Sequence, residues 1–172
     1  MHGKGSDFST WKEFKGILPD KNVTFGRFYS YQFLNTPRSI LFTLSKYKFA
    51  SKLIGPKKNI LEVGCSEGLG TLLLSEFANK VVAVDVDPEA INDANRVFKT
   101  NKIRFMHKNI FRARVGKFDA IVSFDVVEHV YKKNERLFFK SLCDNLTKFG
   151  ICIIGTPNET STRELLFLGK IK

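Results

Sequence analysis

Residues 60–74 read ILEVGCSEGLGTLLL, an apolar run followed by a glycine-rich turn and a second apolar run. Residues 60–63 are typical of a buried strand, and residues 69–78 have the spacing of a helix. The glycines at 64, 68 and 70 permit positive φ and let a ligand approach the backbone. The first turn of the helix offers unpaired amides to an anionic group. The stretch therefore predicts a strand, a binding turn and a helix.

The same alternation continues along the chain. Four further apolar runs, residues 81–84, 103–106, 118–124 and 151–154, predict strands. Asp87 before Pro88 predicts a capped helix that runs to about residue 99, and Asn134 and Gly150 predict the start and end of another. Alternating strands and helices predict an α/β fold, a Rossmann-like, doubly wound and mostly parallel sheet. Ligands of such sheets bind at the carboxyl ends of the strands, where the strand order reverses.

The region before the first strand has a different character. Thr36 and Pro37 predict the start of a helix that Gly55 and Pro56 end. We therefore divide the chain into an N-terminal helical and aromatic cap, residues 1–56, and a core, residues 57–172. Five aromatic residues of the cap are expected to cover the ligand, to pack against the sheet edge or to stack on nucleobases: Phe25, Phe28, Tyr29, Tyr31 and Phe33.

The chain is basic, with 28 Lys and Arg against 17 Asp and Glu and a net charge of +11. Residues 99–117 carry basic side chains and no acid. Such a surface attracts nucleic acid or an anionic substrate, and it equally serves as a solvated face. No apolar run reaches the length of a membrane span, and residues 1–16 lack the apolar stretch of a secretion signal, so we expect a cytoplasmic location.

The three cysteines do not form a recognisable framework. They show no CxxC spacing, which argues against disulfides and against a zinc site. Cys143 and Cys152 are expected to be core thiols.

Three chemistries use a glycine turn of this kind. Asp85 follows the second predicted strand, where an acid binds ribose hydroxyls. A dinucleotide fingerprint, GxGxxG, is disfavoured because Ser66 stands at its second glycine. Residues 64–68 also match GxSxG, the nucleophile elbow of hydrolases, but too little chain precedes Ser66 for that fold.

The third chemistry rests on a resemblance. Glu62 with the glycines, Asp85, the pair Asn109 and Ile110, then FDAIVSFDVVEHV (118–130) and GICIIGTPN (150–158) follow one another in order. In this order they resemble the motifs of class I S-adenosylmethionine-dependent methyltransferases, and most closely the small-molecule branch that includes quinone-biosynthesis O-methyltransferases. The resemblance implies S-adenosyl-L-methionine as the cofactor.

It also implies which residues bind the cofactor. The turn would hold the methionine end, Glu62 would orient its ammonium group, and Asp85 would bind the ribose. Asn109 replaces the usual acid near adenine, and Ser66, where many members have glycine, requires a negative φ. The implied set is Glu62, Gly64, Cys65, Ser66, Gly68, Asp85, Val86, Asn109, Ile110, Phe124 and Asp125.

His129 is the candidate general base, because imidazole accepts protons near neutral pH. The alternative is a histidine that only packs or caps the following helix. Glu128 beside it gives too few ligands for a metal, so we predict no metal site.

The chain departs from the family after the fifth strand. Only residues 156–172 remain, enough for one short helix from about Ser161, so we expect this chain to lack the final antiparallel strands, either because a C-terminal part is omitted or because the chain is a shortened member. The fifth strand is then an open edge through which copies of the chain could associate. The leading function is methylation of oxygen or nitrogen on a small metabolite or glycan precursor, and the basic surface would suit one that is anionic. The alternatives are RNA methylation and a non-catalytic cofactor-binding or partner protein.

Overall fold

The computed structural model describes residues 8–18 and 22–158, which form six helices and five strands. The helices are α1 (Phe8–Ile17), α2 (Arg27–Asn35), α3 (Pro37–Ile54), α4 (Leu69–Phe77), α5 (Pro88–Phe98) and α6 (Glu135–Asn145). The strands are β1 (Asn59–Val63), β2 (Lys80–Asp85), β3 (Ile103–His107), β4 (Phe118–Phe124) and β5 (Leu146–Gly155). Two 3₁₀ turns, Val127–His129 and Lys132–Asn134, lie between β4 and α6.

The strands form a single sheet with the order β3-β2-β1-β4-β5, and every pairing between them is parallel. The chain order reverses between β1 and β4, so the turn after β1 lies at the switch point where such sheets bind ligands. This topology confirms the predicted α/β, Rossmann-like fold. Within the described residues, β3 and β5 form the two edges.

Side chains point alternately to the two faces of the sheet along each strand, and helices cover both faces of its central strands. On one face Ile60 and Val122 pack with Tyr47 of α3 and Leu74 of α4. On the other face, Leu61 and Ile121 pack against Phe138 and Leu142 of α6. Apolar burial on this scale supplies the main free energy of folding.

The start of α5 follows the prediction from the sequence. The Asp87 carboxylate accepts hydrogen bonds from the backbone amides of Glu89 at 2.8 Å and Ala90 at 3.4 Å, and Pro88 occupies the first turn. The bonds satisfy amides that have no partner inside the helix. Asp87 is therefore confirmed as the helix cap.

The N-terminal helices pack closely on the core. α3 lies across the start of α4, where a Cβ at Gly70 would come within 1.9 Å of the Tyr47 ring. α2, which the sequence did not predict, places Phe25, just before it, against Phe98 of α5, with 6.2 Å between the ring centroids. The aromatic cap thus packs on the helical layer of the core.

Two predictions about the C-terminal half are wrong. Gly150 does not end α6: the helix stops at Asn145, and Gly150 lies within β5, which pairs with β4 from Leu146 onward. Cys143 and Cys152 are exposed rather than core thiols. They are exposed because one lies on the outer flank of α6 and the other on an edge strand. The helix predicted from Ser161 lies outside the described residues.

No helix in residues 8–18 and 22–158 is long and apolar enough to cross a membrane.

Candidate functional site

A cavity of about 580 Å³ opens at the carboxyl ends of β1, β2, β3 and β4. Its volume lies within the range of small-molecule and cofactor sites. Eight residues of the set predicted from the sequence line it: Gly64, Ser66, Asp85, Val86, Asn109, Ile110, Asp125 and His129.

The glycine turn brings bare backbone to the cavity wall. Gly64 has φ +81, and a Cβ there would lie 2.2 Å from Cγ2 of Val126. Ser66 has φ +48, so the negative φ expected of it is wrong. A left-handed serine costs of the order of 1 kcal/mol. The Ser66 amide offsets that cost by donating a 2.7 Å hydrogen bond to Oδ2 of Asp85.

Asp85 connects the ends of three strands. Its Oδ2 accepts from Ser66, its Oδ1 accepts from the amide of Asp87 at 2.9 Å, and its carbonyl accepts from the amide of Lys108 at 2.8 Å. A carboxylate has about four acceptor positions, so two remain for a ligand after the two backbone bonds. The position and spare acceptors suit recognition of a vicinal diol.

The ends of β2 and β3 form an apolar part of the cavity. Val86 and Ile110 both line it, Val86 largely exposed and Ile110 buried. Asn109 lies beside them, and its Oδ1 already accepts a 2.9 Å hydrogen bond from the amide of Phe111. A second lone pair on that oxygen remains free to accept a hydrogen bond from a ligand.

Asp125 and His129 lie at the end of β4. Asp125 has φ +55, its amide donates to the carbonyl of Gly155 at 2.8 Å, and its carboxylate pairs with Lys46 of α3. His129 is exposed at the cavity, in a 3₁₀ turn held by the bond from its amide to the carbonyl of Val126 at 3.0 Å. A carboxylate and an imidazole therefore share one wall of the cavity.

Four residues of the predicted set are not among the described residues that line the cavity: Glu62, Cys65, Gly68 and Phe124. Glu62 and Phe124 point to the face of the sheet that α3 and α4 cover, because strand side chains alternate. Cys65 is buried in the cluster around α5. A Cβ at Gly68 would lie 2.7 Å from the Phe105 ring, so this glycine serves packing.

The carboxylate of Glu62 is fully buried and hydrogen-bonded. The hydroxyls of Tyr47 and Thr71 each donate to it at 2.5 Å. Burial raises the pKa of Glu62 from 4.5 to about 7, although the two hydroxyl bonds oppose the shift. Glu62 thus joins α3 and α4 to β1 beneath the glycine turn.

This pKa makes stability depend on pH. Between pH 4.5 and 7 the folded chain binds more protons at Glu62 than the unfolded chain does, so the free energy of unfolding falls as the pH rises. We expect the free energy of unfolding, measured with urea, to fall between pH 5 and pH 8 by about 2 to 3 kcal/mol more in the wild type than in Glu62→Gln. The exposed Glu76→Gln should behave as the wild type. Equal pH dependence in wild type and Glu62→Gln would contradict this assignment.

Several residues line the cavity that were not expected there from the sequence: Lys108, Phe111, Val126, Val130, Tyr131, Asn134 and Phe138. Phe138 had a signal, its place on the apolar side of α6, but the others lie in loops and 3₁₀ turns without periodicity. The five aromatic residues of the N-terminal cap are not in the lining that the described residues form, and Phe25 packs on α5 instead.

Comparison with known proteins agrees with this geometry. The family model described as a methyltransferase domain matches residues 61–154, more than half of the chain. A probable S-adenosylmethionine-dependent methyltransferase of Mycobacterium tuberculosis is 28% identical over 103 residues, covering 59% of this chain and 36% of that protein. The ubiquinone biosynthesis O-methyltransferase of Rickettsia canadensis is 31% identical over 125 residues, covering 71% of this chain and 50% of that protein.

A solved structure supports the fold. The N-methyltransferase NodS from Bradyrhizobium japonicum, in complex with S-adenosyl-L-homocysteine, superposes with a TM-score of 0.60 at 24% identity, covering 74% of this chain and 65% of that one. This chain spans half or less of the length of the two curated relatives named above. The predicted family and its cofactor, S-adenosyl-L-methionine, are confirmed. The chain belongs to the class I S-adenosylmethionine-dependent methyltransferases.

Proposed function

We propose that this chain transfers a methyl group from S-adenosylmethionine to an oxygen or nitrogen atom of a small molecule. One observation carries the proposal: the Ser66 amide and the Asp85 carboxylate meet at the wall of a single cavity at the switch point of the sheet. Glycine backbone there suits the methionine end of the donor, and the carboxylate suits its ribose.

The cavity offers each part of the donor a chemically matched surface. Asp85 would bind the ribose hydroxyls, while Val86 and Ile110 would enclose the adenine ring and Asn109 would accept from its amino group. Gly64 and Asp125 would face the methionine part, Asp125 with a charge opposite to that of the ammonium group. Glu62, Cys65, Gly68 and Phe124 would support these surfaces from behind.

Methyl transfer from a sulfonium is an in-line displacement that needs no covalent enzyme intermediate. The bound donor supplies an electrophilic methyl group. The residues of the chain have to hold the acceptor in line with that group, exclude water and receive the acceptor's proton. His129 is proposed to receive the proton, because it lies on the cavity wall together with Asp125.

The acceptor is proposed to be small, because the cavity that has to hold donor and acceptor measures about 580 Å³ and is lined by Phe111, Phe138 and residues of the two 3₁₀ turns. Lys108 belongs to the basic run and lines the same cavity, which favours an acceptor that carries negative charge. The Rickettsia relative is named for O-methylation in ubiquinone biosynthesis, which adds weight to oxygen as the acceptor atom. No observation on the described residues favours RNA or a non-catalytic role.

The proposal is tested with the methyl donor labelled at its methyl group. The chain is incubated with panels of phenols, carboxylated phenols and amines, and label is measured in the extracted acceptor. We expect transfer to at least one oxygen or nitrogen acceptor, and faster transfer to the carboxylated phenols than to neutral ones. Binding of S-adenosylhomocysteine without transfer to any panel member would contradict a small-molecule enzyme.

A further inference from the structure

Glu67 lies inside the glycine turn, between Ser66 and Gly68, yet it does not face the cavity. Its side chain is buried, with 5% relative exposure. The two carboxylate oxygens accept hydrogen bonds from the backbone amides of Phe28 at 2.7 Å and Tyr29 at 3.1 Å. These amides belong to the first turn of α2, where no partner exists within the helix. An acid of the turn therefore caps a helix that lies 38 and 39 residues away in sequence.

Gly26 makes this contact possible. It is the N-cap residue of α2, and, as a glycine, it has no side chain with which to cap the helix. A Cβ at this position would lie 2.4 Å from Oε1 of Glu67 and 2.2 Å from Oδ2 of Asp93 in α5. Both contacts are shorter than atoms tolerate, so any side chain at Gly26 would displace the carboxylate. The start of α2 is thus fitted against the glycine turn and α5 together.

The turn needs such support, because its backbone conformation is costly. Gly64, Ser66 and Gly68 all have positive φ within five residues, and Ser66 pays a steric penalty for it. On one side the bond from the Ser66 amide to Asp85 holds the turn. On the other side, the hydrogen bonds between Glu67 and the start of α2 hold the turn. The donor-binding shape of the turn therefore depends on contacts from both directions.

We propose that Glu67 is a positioning residue of the donor site, which couples the docking of α2 to the shape of the glycine turn. The inference rests on the proposed placement of S-adenosylmethionine at this turn. Coupling between two sites is reciprocal. Donor binding stabilises the docked α2, and loss of the docked α2 weakens donor binding, although no α2 residue lies in the cavity wall.

The variants Glu67→Ala, Glu67→Gln and Gly26→Ala break the contact from its two sides. Calorimetric titration with S-adenosylhomocysteine, at a temperature where circular dichroism shows each variant folded, should give a Kd raised about tenfold in Glu67→Ala and in Gly26→Ala. Glu67→Gln keeps one acceptor oxygen and should lie between them and the wild type. The double variant with Gly26→Ala and Glu67→Ala should bind the ligand no more weakly than either of these single variants, because both substitutions remove the same contact. Glu76→Gln, an exposed glutamate of α4, is the matched control and should stay within about twofold.

Hydrogen exchange separates positioning from simple stability. In the wild type, S-adenosylhomocysteine should slow exchange of the Phe28 and Tyr29 amides, and in Glu67→Ala this ligand-dependent protection should disappear. A lowered melting temperature with unchanged Kd, or equal ligand-dependent protection in both proteins, would overturn the role of Glu67. If the wild type itself does not bind S-adenosylhomocysteine, the proposed placement of the donor is wrong too. The outcomes named before leave that placement intact, so failure of the Glu67 role and failure of the donor site are distinguishable.

Discussion

Replacing Asp85 by asparagine is expected to raise the Kd for S-adenosylhomocysteine roughly 100-fold, or about 3 kcal/mol. The carboxylate has two functions. It accepts from the amides of Ser66 and Asp87, and in the proposed complex it also accepts from the ribose hydroxyls. An asparagine turns an NH₂ group toward one of these donors, so the variant loses a charged acceptor and part of the support of the turn.

Asp87→Asn is the matched control for this experiment. It lies two residues away, and asparagine caps helices about as well as aspartate. Asp87 is not part of the cavity wall, so the Kd of Asp87→Asn for S-adenosylhomocysteine should stay within about twofold of the wild-type value. If Asp85→Asn binds the ligand as tightly as Asp87→Asn, the assignment of Asp85 to the ribose is wrong.

Replacing His129 by glutamine is expected to lower kcat about 100-fold or more, once an acceptor is known, because general bases contribute factors of this size. The Kd for S-adenosylhomocysteine should stay unchanged, since the side chain is proposed to act on the acceptor and not on the donor. Single-turnover kinetics with saturating donor measure this effect directly.

The neighbouring Glu128→Gln serves as the control for His129. Glu128 lies in the same 3₁₀ turn but outside the cavity wall, where its carboxylate is 3.5 Å from the hydroxyl of Thr156. Its variant should keep most of the activity. Equal loss of kcat in both variants, or a normal kcat in His129→Gln, would show that the histidine only packs in the turn.

The core of the fold could be predicted from the sequence because its signals are local. Apolar runs interrupted by a glycine turn, and the Asp87-Pro88 cap, are each determined within a few residues, and the structure agrees with them. α2 could not be predicted in this way. It lacks apolar periodicity, and its cap is Glu67, which comes close only when the chain has folded.

The site was predictable at the polar residues that end or follow strands, and less so where a residue has to be assigned to one face of the sheet. Asp85 ends β2, Asn109 and Asp125 lie shortly after β3 and β4, and all three reach the cavity, as the motif order implied. Glu62 and Phe124 are strand residues, and which face meets the cavity is decided by the packing of α3, α4 and α6. The exposure of Cys152 likewise depends on which strand forms the edge, and that of Cys143 on which side of α6 faces the sheet; both are tertiary properties.

A crystal structure of the chain with S-adenosylhomocysteine tests the central claim most directly. We expect the adenosine in the cavity at the ends of β1 to β4, with both ribose hydroxyls within hydrogen-bond distance of the Asp85 carboxylate and the adenine ring between Val86 and Ile110. Ligand density elsewhere on the chain, or a bound ribose turned away from Asp85, would contradict the account.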